Sequence, residues 1–300
     1  MNKQLVEELA KRFFEIQDLY SFLQLYSVQI WNRIEFVRNK EGLKITETTI
    51  TQNLIFDFWQ LAVISKLPVE MYESLNEKAN GNDLEICIET SKGFILFPCQ
   101  AKILQKNNRY NTIHHQNKSS SMSQIDMLID YAKVNKGIPI YFLYNYYNKL
   151  KQCEKIEEII GFPVDNFGLS VVSANYILEN FPIRNSNSKN KIPSFKDLHP
   201  FPALTAYDFF KSIVKMNIDD WLSLNNYSLK DIRFYGWDEI SNNKRWSDMA
   251  PSAAIGFVTN ENKKKGNITV LGKELLVQFK PRFRIVISKK RRETQIFILS

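Results

Sequence analysis

Asp83-Leu84-Glu85 and Gln100-Ala101-Lys102 are the residues whose types and spacing could do chemistry. Side chains alternate along a strand, so Asp83 and Glu85 share one face of theirs, as do Gln100 and Lys102. A hairpin joining the two runs would bring the four groups within a few ångström of one another. A carboxylate cluster beside a lysine suits metal-assisted phosphodiester hydrolysis. The carboxylates would hold Mg²⁺, or Mn²⁺, and the lysine would position water or steady charge on the phosphate. The plainer reading is an exposed hairpin face with cross-strand ion pairs.

The surrounding elements must place these groups. Residues 2–39 read as helical, and Glu41-Gly42 stops the pattern. A second helix is expected from Thr51 to Lys66, capped by Thr49 or Thr51 and ended by Pro68. Residues 74–82 form a polar connector. Asp83–Glu89 and Phe94–Leu104 read as paired strands around Thr90-Ser91-Lys92-Gly93, with Pro98 predicting a bulge or an edge. A polar loop over 105–123 leads to a helix over Gln124–Val134. Ile140–Tyr146 reads as a strand buried on both faces. A short helix near 154–160, a strand at 168–174 and a helix over 174–181 follow. The fold class is therefore α/β, a mixed central sheet flanked by helices, with an N-terminal helix and a C-terminal α+β extension.

Four regions are expected: an N-terminal helical segment 1–44, a core 45–183, a polar linker 184–196, and 197–300. The last holds a helix near 204–215, an aromatic segment at 221–246, and strands near 268–279 and 282–288. Sheet extension, a dimer surface and a recognition domain are all compatible with it.

The order helix, Asp-bearing strand, Gln-x-Lys strand, helix, strand resembles the PD-(D/E)XK restriction-endonuclease-like superfamily, over roughly residues 45–180. The likeness is to a bacterial branch with a Gln-x-Lys variant. Asp83 matches the motif aspartate and Gln100-Ala101-Lys102 the (D/E)-x-K triplet, 17 positions on. Asn82 stands where the family has proline, and neutral Gln100 fills the acidic slot. The resemblance implies that Asp83, Glu47 and Gln100 ligate Mg²⁺, with Glu85 able to compensate. It also implies that Lys102 is catalytic and that Gln124 steadies the phosphate. Glu47 is equally read as an acid complementing a helix N-terminus. The implied protein is a metal-dependent endonuclease acting on nucleic acid, DNA being favoured, in the manner of an antiviral defence effector. The alternatives are a catalytically inactive nucleic-acid-binding or assembly module, and a scaffold whose basic surface meets an acidic protein.

Composition bears on these readings. The net charge is +8 and the pI about 9.2, which favours a polyanionic partner. The Lys263–Lys265 and Lys289–Arg292 runs are solvated tips or phosphate contacts. Hydrophobic residues make up 44%, enough for a sizeable core. Three scattered cysteines support neither a disulfide framework nor a zinc ribbon, and Cys99 should face the core. With no apolar leader and no run of 18 apolar residues, a cytoplasmic chain off the membrane is expected. No phosphate-binding Gly-x-x-x-x-Gly-Lys loop occurs. A homodimer or a partner subunit is compatible, since two strands of a duplex need two sites. His114-His115 lie in the polar loop, where phosphate contact fits better than metal binding. His199, between Leu198 and Pro200, reads as structural. Gln52 and Asp57 are lesser candidates on the second helix.

Overall fold

The computed structural model describes residues 18–64, 68–73, 84–115, 123–182, 191–240 and 283–289. Asp83, residues 2–17, most of the 184–196 segment, the 268–279 strand and the Lys263–Lys265 run lie outside these residues.

A seven-stranded mixed sheet forms the centre. In chain order its strands are β1 (Val69–Glu73), β2 (Leu84–Glu89), β3 (Phe94–Ile103), β4 (Ile140–Tyr144), β5 (Leu169–Ser173), β6 (Leu204–Thr205) and β7 (Phe283–Ile287). In space they run β1-β7-β2-β3-β4-β5-β6. The hairpin β2–β3 is antiparallel, β3–β4 parallel, and β7 runs parallel to β2 and antiparallel to β1.

Helices cover both faces. On one lie α1 (Leu19–Arg38), α2 (Glu47–Ile64), α7 (Ala206–Lys215) and α8 (Ile218–Leu224). Their apolar residues pack on Phe97, Cys99, Ala101, Phe142 and Val171. On the other lie α3 (Gln124–Val134), α4 (Leu150–Ile160), α5 (Ala174–Asn180) and α6 (Phe195–Leu198), packed on Tyr141, Leu143 and Val172. The short α9 (Trp237–Ile240) joins a small cluster with Cys87, Leu96 and Val286. Cys99 points into the core, as its place beside Gln100 predicts. α1 crosses so close to Gly168 that a Cβ there would lie 1.8 Å from the Ser27 carbonyl oxygen, so no larger residue fits.

The helical pattern over 2–39 appears as α1 within the described residues, capped by Asp18, whose carboxylate accepts from Ser21 N–H at 2.8 Å. α2 begins at Glu47, four residues before the expected start, because Thr46 rather than Thr49 or Thr51 caps it. β1 is a strand that the sequence pattern did not indicate; Glu70 and Glu73 hide its alternation. Pro98 makes no bulge, since its register with Glu85 is continuous. β4 joins β3 only from Cys99, so Pro98 sits where the sheet is still an edge on that side. The region beyond residue 197 extends the sheet through β6 and β7. Among the described residues no helix is long and apolar enough to cross a membrane.

Candidate functional site

The register of the hairpin decides which side chains meet. Leu84 opposes Cys99 and Glu85 opposes Pro98, so Glu85, Gln100 and Lys102 share the face covered by α3. All three are buried. The Lys102 ammonium donates to Gln124 Oε1 at 2.8 Å. Gln124 is the first residue of α3, whose cap Ser123 accepts from Asp126 N–H. That cap fixes where the helix begins and so where the Gln124 amide can reach.

Glu47 arrives from the other layer. It opens α2, anchored by the bond between Thr51 and Tyr144 hydroxyls at 2.9 Å. Its Oε1 accepts from the Ile103 N–H at 3.1 Å and from Thr112 Oγ1 at 2.8 Å. The structure therefore brings Glu47 to the end of β3, next in sequence to Lys102, and Gln124 to Lys102 itself. Gln100 lies two residues before Lys102 on the same face of β3, and its buried Oε1 has no hydrogen-bond partner among the described residues. An amide oxygen left bare in the interior costs about 1–3 kcal/mol, which a ligand at that position would remove. Asp83 falls outside the described residues.

Glu85 is committed elsewhere. Its Oε2 accepts from Arg284 Nε of β7 at 2.6 Å and its Oε1 from the Tyr131 hydroxyl at 2.7 Å. Burial works against the Arg284 charge, but the Glu85 carboxylate, together with Cys87 and Tyr131, raises the guanidinium pKa on balance. Burial first, and Glu85 second, push the Tyr131 phenol up as well. One Glu85 oxygen is thus held by the ion pair with Arg284 and the other by the Tyr131 hydroxyl. Among the described residues no group of three His, Cys, Asp or Glu could hold a metal ion. Among the described residues, Glu47 at the end of β3 and Gln100 two residues before Lys102 offer oxygen atoms, a set whose chemistry suits a hard cation only with further ligands.

Several neighbours carried no signal. Thr112 looks like any loop residue. Arg38 donates to the Leu104 and Tyr146 carbonyls, where β3 and β4 end, and burial lowers its pKa. Tyr131 could have been found: it lies seven residues, two turns, beyond Gln124 and so on the same face of α3. Gln52 is exposed on α2. Asp57 sits ten residues beyond Glu47, about 15 Å along the helix, and belongs to the α1–α2 contact.

His199 is structural. Its Nδ1 bonds the Phe195 carbonyl at 2.9 Å, so Nδ1 carries the proton and Nε2 accepts from Ser170 Oγ at 2.8 Å. Asn145 continues the chain, donating to Ser170 Oγ and accepting from the Tyr110 hydroxyl at 2.6 Å. This network ties the loop after β3 into the core.

The fold and cluster define an α/β protein with a buried polar group at the end of a hairpin strand. Residues 19–280 match the family of unknown function DUF6615, and the chain belongs to that family. No curated protein and no solved structure matches the chain.

Proposed function

We propose that the chain is a metal-dependent nuclease that hydrolyses phosphodiester bonds, with DNA the favoured substrate. The observation that carries this reading is the buried Lys102, bonded to Gln124, two residues from the unpartnered amide oxygen of Gln100. Burying an ammonium costs several kcal/mol, which the Gln124 amide oxygen offsets in part. Lys102 would offset charge developing on the scissile phosphate and orient the attacking water, and Gln124 would hold its ammonium in place. Glu47 and Gln100, with Asp83, would hold Mg²⁺ or Mn²⁺. When bound, such a cation polarises a phosphoryl oxygen and makes its water more acidic. Thr112 and the Ile103 N–H keep the Glu47 carboxylate aimed. The basic net charge supports a polyanionic substrate.

A second reading draws on the neutral Gln100 and on the sparse carboxylates among the described residues. It is a nucleic-acid-binding or assembly module with the same fold and no cleavage. Plasmid, single-stranded DNA and RNA incubated with Mg²⁺ or Mn²⁺ separate the two. Cutting that Lys102→Ala and Glu47→Gln abolish, with folding intact, is the expected result. Salt-sensitive binding with no cutting by wild type would overturn the nuclease reading in favour of the second.

A further inference from the structure

At the other end of the sheet lies an open groove that the proposed chemistry leaves unused. Lys102 stands near the end of β3, beside Leu143 of β4. The groove lies where β4 begins, over Ile138 and Ile140. Gln124 and Lys133 are nine residues apart on α3, about 14 Å along its axis, so the helix has one end at each place.

The groove consists of two adjoining cavities. The first, of about 300 Å³, has apolar walls from Ile140, Phe209 and Trp221, and half-buried Tyr176 and Tyr227 line it as well. The second, of about 540 Å³, is lined by Lys133, Lys136 and Lys230. Asn175, Asn226 and Tyr227 belong to both, which makes the two continuous. Sites for small molecules commonly span about 300–1,000 Å³. The walls are fixed in advance. The Tyr227 and Ser173 hydroxyls are bonded at 3.1 Å, the Trp221 indole N–H donates to Ser212 Oγ at 2.9 Å, and the Lys136 carbonyl accepts from the Arg233 N–H at 2.9 Å.

Charge is sorted along the groove. Glu179 lines the first cavity, whereas three lysines face Asp231 in the second. Lys133 and Lys136 complement the C-terminal end of α3. Lys230 has no such duty, because it arrives on the separate 3₁₀ turn Leu229–Asp231. All three lysines are exposed, and the one ion pair they make among the described residues is Lys133 to Asp130 at 4.0 Å. Lys136 holds its place with a left-handed backbone, φ 48°, which residues other than Gly, Asn and Asp seldom adopt.

Each feature suits one part of a nucleotide. A flat base stacks on tyrosine rings. Glu179, Asn175 and Asn226 offer acceptors and donors to the edge of a base. The lysines suit phosphate, and Glu179 repels it, so the charge gradient sets which way round the ligand lies.

We propose that this groove binds a nucleotide, its base in the first cavity and its phosphate at Lys136 and Lys230. The assignment stands apart from the phosphodiester reading of Lys102. A free nucleotide and a nucleotide of a single strand share this chemistry.

The full chain in EDTA would be titrated by calorimetry with ATP, GTP, inorganic phosphate and short single-stranded DNA. The expected result is saturable binding of ATP or GTP, with inorganic phosphate much weaker. Lys136→Gly should weaken that binding about tenfold, the loss of one hydrogen bond to a charged group. Glycine accepts the left-handed backbone, so this variant keeps the fold. Lys230→Ser should weaken binding similarly, and Lys102→Ala should leave nucleotide affinity unchanged. Strand binding without free-nucleotide binding, weakened by the same two variants, upholds the site and identifies the strand as the source. Binding that Lys102→Ala weakens and Lys136→Gly spares overturns the proposal. So does inorganic phosphate binding as tightly as ATP, or no saturable binding of any probe.

Discussion

Lys102 and Gln124 form the contact around which the candidate site is arranged: the ammonium of the hairpin strand donates at 2.8 Å to the first residue of the helix that crosses it. A strand residue and a helix N-terminal residue, 22 positions apart, are thereby held as one unit.

That contact sets unequal penalties for its two partners. Lys102→Ala should lower Mg²⁺-dependent cleavage by about 10²–10³, the range for losing one group that stabilises developing charge. Gln124→Ala should cost about tenfold, since it removes only a group that holds the lysine. Initial rates on plasmid DNA, beside circular dichroism of each variant, measure both. Equal losses would mean that the amide itself contacts the phosphate.

The Glu85–Arg284 pair should dominate local stability. Removing one partner strands a buried charge, so Glu85→Ala should destabilise the fold by about 3–5 kcal/mol in urea titration. Replacing both with leucine should be far milder, because no uncompensated charge is left. A double variant as unstable as the single would refute the ion-pair account.

Asp57 makes stability depend on pH in an unusual direction. Burial raises its pKa to about 6, although Arg33 pulls it down. A carboxyl raised above its unfolded value favours the fold only while protonated, so that contribution is complete below about pH 4 and lost as pH rises through 6. Asp57→Asn should therefore leave Tm nearly unchanged at pH 4 and raise it at pH 7.5. Thermal melts of both proteins across this range check the sign.

His199 works the other way. Burial drives its pKa down to about 3, so the neutral ring favours the fold above about pH 6.5, and that stability drains away as pH falls toward 3. Its imidazole signal should show no protonation between pH 7 and 5 in the folded protein. A midpoint near 6.5 by NMR would contradict the burial seen here.

Much of the sheet was legible because its signals are local. Period-two runs around a Thr-Ser-Lys-Gly turn specify β2 and β3, and the Gln124–Val134 stripe specifies α3 to the residue. The same alternation placed Gln100 and Lys102 on one face. Glu85 obeyed it too, yet its partners are Tyr131 and Arg284. Alternation gives a face but not what stands opposite, and Arg284 lies 199 residues away. Glu47's reach to Ile103 depends on how α2 docks through Thr51 and Tyr144, which no local pattern encodes. β1 stayed hidden because its neighbour in the sheet, β7, comes from the far end of the chain.

The insertion of β7 between β1 and β2 also has a consequence for biosynthesis. Until residue 287 has left the ribosome, β2 has one bare edge and Glu85 has no counter-charge. At about 5–20 residues per second, that interval lasts roughly 10–40 s after the hairpin emerges. A nascent chain halted within it holds β2 and β3 but not the strand that sits between β1 and β2. A chain halted before residue 287 thus leaves β1 and β2 without the strand that joins them and Glu85 without Arg284.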